Sequence, residues 1–159
     1  MKTYIGIDNG VTGTITIIGD GKVIHFPMPV KSEQSYTKAK QNITRIDYRG
    51  LREVLLRNGC TASGAFCLLE RPMVNPGRFK ATVSAIRALE ATLIVLEQLS
   101  ISFQYIDSKQ WQKALLPQGL DKGDLKKAAI DVARRLFPEI KTKDADSLLI
   151  AEYARRMRF

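Results

Sequence analysis

The chain has 159 residues and 45% hydrophobic content, enough to bury the core of one domain, expected over residues 1–159. No apolar run approaches the ~18 residues of a membrane span, and the N-terminal residues lack the basic, apolar and small-residue zones of a signal peptide, so a cytoplasmic protein away from membranes is expected. Lys and Arg number 25 against 16 Asp and Glu, and the resulting charge of +9 favours a polyanionic partner, nucleic acid first, because each neutralised phosphate releases condensed counterions.

Residues 3 to 8 and 13 to 19 read as β-branched strands joined by "DNGVTG", and Val23 to Phe26 as a third strand entered through "GDGK". Together they predict an antiparallel meander. From Pro27 to Arg45 the pattern dissolves into polar, lysine-bearing sequence, which predicts a long connection of functional or mobile character. Asp47 can cap a short helix with Leu51, Val54 and Leu55 inward, stopped by Asn58-Gly59. "GAFCLLE" then reads as a buried strand ending in Glu70. Cys60 and Cys67 lie in or near it; with a single histidine, His25, there is no soft ligand set for zinc, and free thiols are expected. His25 itself reads as a strand residue rather than a ligand.

After the loop "RPMVNPGRFK", Val83, Ile86, Leu89, Leu93, Ile94 and Leu96 recur near helical period and predict a helix over about 81–99. "SFQYID" is a further short strand. Ser108 is placed to cap "KQWQKALL", in which Trp111 near helical spacing with Leu115 reads as core. "GLDKGDLKKAAIDVARRLFP" holds a helix with Leu125, Ala128, Ala129, Val132 and Leu136 inward and Lys126, Lys127, Arg134 and Arg135 on its other face. The last helix opens with Asp144 and Asp146 and closes with three arginines, an order that also suits its dipole.

Three acidic positions share a feature: Asp8 ends the first strand, Glu70 ends the fourth, and Asp144 with Asp146 opens the last helix. In an α/β sheet, strand ends and adjoining helix termini form the crevice where ligands bind. Carboxylates gathered there repel one another unless a cation is present, which points to hard, oxygen-preferring ions such as Mg2+ or Mn2+. Two such ions can activate a water and stabilise the leaving oxygen of a phosphodiester. A basic chain with an acidic metal site is the pattern of a nuclease.

The segments "IGIDNGVTGTI", "AFCLLE", "IDSKQWQKALLPQGLDKGDLKKAAIDVARRLFP" and "DADSLLIA" resemble, in that order and over nearly the whole chain, the RuvC-type Holliday-junction resolvases of the RNase H-like superfamily, particularly their phage-borne relatives. The resemblance implies an α/β RNase H-like fold: a mixed five-stranded sheet, a three-stranded antiparallel meander plus parallel strands, flanked by helices. It implies a homodimer in bacterial or phage-infected cytosol that binds four-way junctions and nicks two strands symmetrically, with two Mg2+ per site for which Mn2+ can substitute. Asp8 and Glu70 carry over as metal ligands, and Asp146 matches the aspartate of the family's "DALAIA"-like helix start. The family often has two acids three apart on one helix face, whereas position 143 here is Lys. Asp144 is two residues from Asp146, so it joins the site only from an extended position at or before the N-cap.

Lysines in "SKQWQK" and "DKGDLKK" are similar to those that hold the scissile strand in resolvases. Lys109, Lys122, Lys126 and Lys127 are the candidates, with Lys122 in the catalytic role. The loop after Glu70 is where resolvases place an apolar wedge, for which Met73 or Phe79 is available beside Arg78 and Lys80. The basic segment Lys31 to Arg45 is a candidate contact for DNA arms. The helix over 81–99, with Ala85, Ala88 and Ala91, is the candidate dimer interface. Two other functions stay open, a branched-DNA-binding protein that does not cut and an RNase H-like nuclease on RNA–DNA hybrids. An actin-like ATPase or sugar kinase needs a second lobe for which the sequence has no room.

Overall fold

In the computed structural model, which describes residues 2–38 and 40–159, period-two alternation sends each central strand's side chains to two different cores. From β1 (Thr3–Ile7), Ile5 and Ile7 join Ile15 and Ile17 of β2 (Thr14–Gly19) and Cys67 and Leu69 of β6 (Ala65–Glu70) on one face. Phe66, Leu68 and Ile18 point to the other. With β3 (Lys22–Pro27) and β7 (Ser102–Ile106), these strands form a five-stranded sheet of order β3-β2-β1-β6-β7. β1, β2 and β3 make the antiparallel meander, and β6 and β7 run parallel to β1, each reached through a helical crossover.

One core lies against α1 (Tyr48–Arg57) and α2 (Phe79–Gln98), the other against α3 (Ser108–Leu115), α4 (Leu125–Leu136) and α5 (Asp146–Met157). The expected α/β architecture of a mixed five-stranded sheet between helices is therefore present. Asp47 caps α1 as expected, its Oδ1 accepting from the Gly50 amide at 3.2 Å, and Gly59 follows the helix at φ 70°. Cys60 and Cys67 are buried free thiols. No helix of the described residues is long and apolar enough to cross a membrane.

Four local expectations need correction. The stretch from Pro27 to Arg45 is not an unstructured connection but contains a hairpin, β4 (Val30–Gln34) with β5 (Asn42–Ile46). It carries charge in place of apolar alternation, Glu33 pairing with Lys31 along its own strand and with Arg45 across to β5, so hydropathy gave no strand signal. Buried Met28 and Ile46 tie both ends to the core.

On α2, Ile86 and Ile94 of the expected inward stripe are 43% and 41% exposed, while Ala88, Thr92, Val95 and Leu96 face the core, so Ala88 is spent inside this chain. On α4, Leu136 lies at the edge of the inward stripe and is exposed; Phe137, leaving the helix at its C-cap, fills that part of the core. Finally, α3 is capped by Asp107 rather than Ser108, with the Asp107 amide donating to Gln110 Oε1 at 3.0 Å.

Candidate active site

The site begins with a glycine. On β1, Gly6 faces α5, and a Cβ there would collide with the Ser147 carbonyl oxygen and the Ala151 nitrogen. The first turn of α5 therefore lies directly on the strand, two residues before Asp8, which shares Gly6's side of the pleat. Asp146 is the first residue of α5, and Asp144 precedes its N-cap, Ala145. Carboxylate oxygens of Asp8, Asp144 and Asp146 lie within 4.8 Å of one another. Glu70, the last residue of the neighbouring parallel strand β6, joins through Asp8, with which it is hydrogen-bonded.

Crowding these acids changes their chemistry. Burial first, then the charges of Glu70, Asp144 and Asp146, push the Asp8 carboxyl up to about 8. Burial and the Asp144 and Glu70 charges push Asp146 up to about 6, with Lys126 acting in the opposite sense. Glu70 is also raised, mainly by burial, against hydrogen bonds from Trp111 and Asp8 that favour its charged form. Carboxyl groups that hold protons this tenaciously stand where positive charge is wanting.

Two supports escaped the sequence reading. Trp111, wholly buried in α3, donates its indole Nε1–H to Glu70 Oε1 at 3.2 Å, so this core residue also orients the acid. Below the acids, Thr14 and Thr16 of β2 turn toward α5 and bond Ser147 Oγ at 2.8 and 2.9 Å. His25 on β3 continues the network, Nδ1 at 2.9 Å from Thr16 Oγ1 and Nε2 at 3.0 Å from Thr142 Oγ1. The available signal was the pair of threonines on the α5 side of an otherwise isoleucine strand, "TITII". Asn9, next to Asp8, donates from Nδ2 to the Ala85 carbonyl at 3.2 Å and so ties the β1–β2 turn to α2.

No protein-family model matches the sequence, and no curated protein matches it. Solved structures do. The chain superposes on T. thermophilus RuvC in complex with a Holliday junction substrate with a TM-score of 0.64 over 99% of this chain and 96% of that one, at 15% identity. It has the RuvC fold. A second Thermus thermophilus RuvC structure gives 0.59 over 98% and 96% at 17% identity. The fowlpox virus Holliday junction resolvase is more distant, at 0.47 over 98% and 99% with 10% identity.

On this RuvC fold Asp8, Glu70 and Asp146 border a cleft of about 470 Å³, lined also by Asn9, Met73, Arg78, Ser108 and Gln112, with Asp144 beside them in the acid cluster. The donor set is all carboxylate oxygen, short of countercharge and clustered within one ion's reach, and so fits hard divalent cations. Met73, which lines the cleft with Arg78, and Phe79 are 79% and 73% exposed, and Arg78 and Lys80 on either side of Phe79 in sequence are exposed too. Lys126, whose charge bears on Asp146, opens α4 beside Lys127; Lys122 lies in the exposed turn before it, and Lys109 is exposed in the first turn of α3.

Proposed function

We propose that the chain is a single-domain, metal-dependent, structure-selective endodeoxyribonuclease that resolves four-way junctions or other branched DNA by paired, symmetric nicks. The observation that carries this reading is the clustering of Asp8, Asp144, Asp146 and Glu70 from three separate elements at one place in a RuvC fold. The proposed ligands of two Mg2+ ions, or Mn2+ in their place, are these four acids. When bound, such ions supply an activated water and neutralise the charge of the leaving oxygen.

The chain's own residues do the rest. The clustered carboxylates at the end of β1 would hold the cations, and cations held there would bind the scissile phosphate, which the carboxylates alone would repel. Lys122 and Lys126 offset charge that builds on the phosphate during in-line attack. Lys109, Lys127, Arg78 and Lys80 hold the backbone of the arms, and Met73 or Phe79 presses between bases at the junction centre, where exposed apolar side chains cost least to unstack a pair. Two nicks of like polarity need two sites related by a two-fold axis, so the active species is proposed to be a homodimer. The outward face of α2, carrying Ile86 and Ile94, is its proposed seam.

The deciding experiment is cleavage of a labelled synthetic four-way junction beside linear duplex and an RNA–DNA hybrid, in Mg2+ or Mn2+, with wild type and Asp8→Asn. Paired junction nicks that vanish in Asp8→Asn while binding persists are the expected result. Binding without cleavage in either metal would replace the reading with a junction-holding protein, and cleavage of the hybrid alone with an RNase H.

A further inference from the structure

The polar network beneath the acids has a direction that its geometry fixes. Thr142 Oγ1 lies 2.6 Å from the Asp144 carbonyl oxygen, which can only accept, so the single Thr142 hydroxyl proton is committed there. The same oxygen accepts from the Asp144 amide at 3.0 Å. His25 Nε2, at 3.0 Å, must therefore be the donor to Thr142. In the neutral ring that leaves Nδ1 as acceptor, served by the Thr16 hydroxyl at 2.9 Å, with Ser147 Oγ farther off at 3.4 Å. Thr16 is then free to accept from Ser147, and Ser147 accepts from Thr14. Every proton in the chain is spent in one sense, running from the floor of β2 through the imidazole to the backbone of Asp144.

We propose that His25 and Thr142 are positioning residues, which clamp the 142–144 turn to the sheet and thereby hold Asp144 beside Asp8 and Asp146 for metal binding. The proposal rests on the reading of these acids as metal ligands.

Asp144 needs such a clamp because its own element supplies only one long bond, the Asp146 amide donating to Asp144 Oδ1 at 3.3 Å. It precedes the N-cap of α5, where the intrahelical bonds that fix Asp146 do not reach. Its amide and carbonyl are both held by Thr142 Oγ1, and Thr142 is held from the sheet by His25 alone among the hydrogen bonds of the described residues. Thr16 and Ser147 are wholly buried, and such groups cost stability unless each finds a partner, which here they find in one another and in the ring.

The test is Mn2+ affinity, read by electron paramagnetic resonance on folded protein without DNA, together with the thermal midpoint. Thr142→Val removes the hydroxyl at nearly constant shape, and its Mn2+ Kd is expected to rise by about ten-fold or more, as for other groups that orient metal ligands. Thr142→Ser restores the hydroxyl and the affinity. His25→Leu weakens Mn2+ to a similar degree, and the double variant His25→Leu/Thr142→Val no further, since both break one chain. Wild-type Mn2+ affinity in Thr142→Val, with Asp8→Asn still losing the ion, overturns the clamp and leaves the metal-site reading standing. Failure of wild type to bind Mn2+ better than Asp8→Asn overturns both.

Discussion

Gly6 on β1 and Ser147 on α5 are in backbone contact, the carbonyl oxygen of Ser147 occupying the space where any other residue at position 6 would place its Cβ. This approach puts the first turn of α5 against the end of β1, and so sets Asp146 beside Asp8. Gly6→Ala must push the helix away from the strand; overpacking of this kind costs about 1–3 kcal/mol, and backbone atoms on both sides place it at the upper end. Urea denaturation should show that loss, and Mn2+ binding should fall with it, because the shift opens the acid cluster.

Trp111 links the core of the α3–α5 face to Glu70 through a single hydrogen bond. Trp111→Phe keeps most of the ring volume and deletes the donor, leaving a buried carboxylate one partner short at a cost of about 1–3 kcal/mol. Glu70 then moves further above its ordinary range. Thermal unfolding should record the loss, and Mn2+ titrations at a series of pH values should show weakened binding that recovers as pH rises.

The raised carboxyl groups make the stability of the metal-free protein depend on pH with a definite sign. Asp8, near 3.8 in the unfolded chain and about 8 when folded, keeps its proton in the fold long after the unfolded chain has lost it. Its favourable contribution is complete below about pH 4 and lost as pH rises through 8. Asp146 acts likewise up to about pH 6. His25, lowered mainly by burial, opposes this below its ordinary value of 6.5, where the unfolded ring gains a proton more readily than the folded one. The metal-free thermal midpoint should therefore fall between about pH 6.5 and 8.5. Asp8→Asn should flatten that slope and raise the midpoint at pH 8 by several degrees, since about 1 kcal/mol moves a chain of this size by about 2–4 °C. Saturating Mg2+ should restore wild-type stability at pH 8 and leave Asp8→Asn unchanged.

Lys126 is the cation that bears on Asp146. With Lys122 it is expected to serve the reacting phosphate, so Lys126→Ala and Lys122→Ala should each lower the single-turnover cleavage rate by about 100-fold. Lys127→Ala should instead weaken junction binding and reduce the salt dependence of Kd by about one ion. Single-turnover rates at saturating protein, beside Kd at several salt concentrations, separate the two effects.

Much of this architecture is written locally. The meander, the buried strand ending in Glu70, the capped helix after Asp47 and the acids at element ends follow from alternation, helical period and turn chemistry, which are properties of neighbours along the chain. What tertiary structure alone decided is how distant pieces meet. The β4–β5 hairpin was invisible because charged side chains replace apolar alternation on it, and the pair that joins its strands, Glu33 with Arg45, leaves no period in the sequence. Ile86, Ile94 and Leu136 had the right spacing for burial, but which edge of an apolar stripe is covered depends on what packs against it.

The acids themselves were legible as types at strand and helix ends; their convergence was not. It depends on the contact between Gly6 and the α5 backbone, on Trp111 reaching Glu70 across 41 positions, and on His25 reaching Thr142 across 117. Composition determined that this chain would be basic, and the sequence pattern put acids at the ends of strands and helices. Only the fold, by excluding water from them and bringing them within a few ångströms, turned ordinary carboxylates into groups that hold protons near neutral pH and fit a cation.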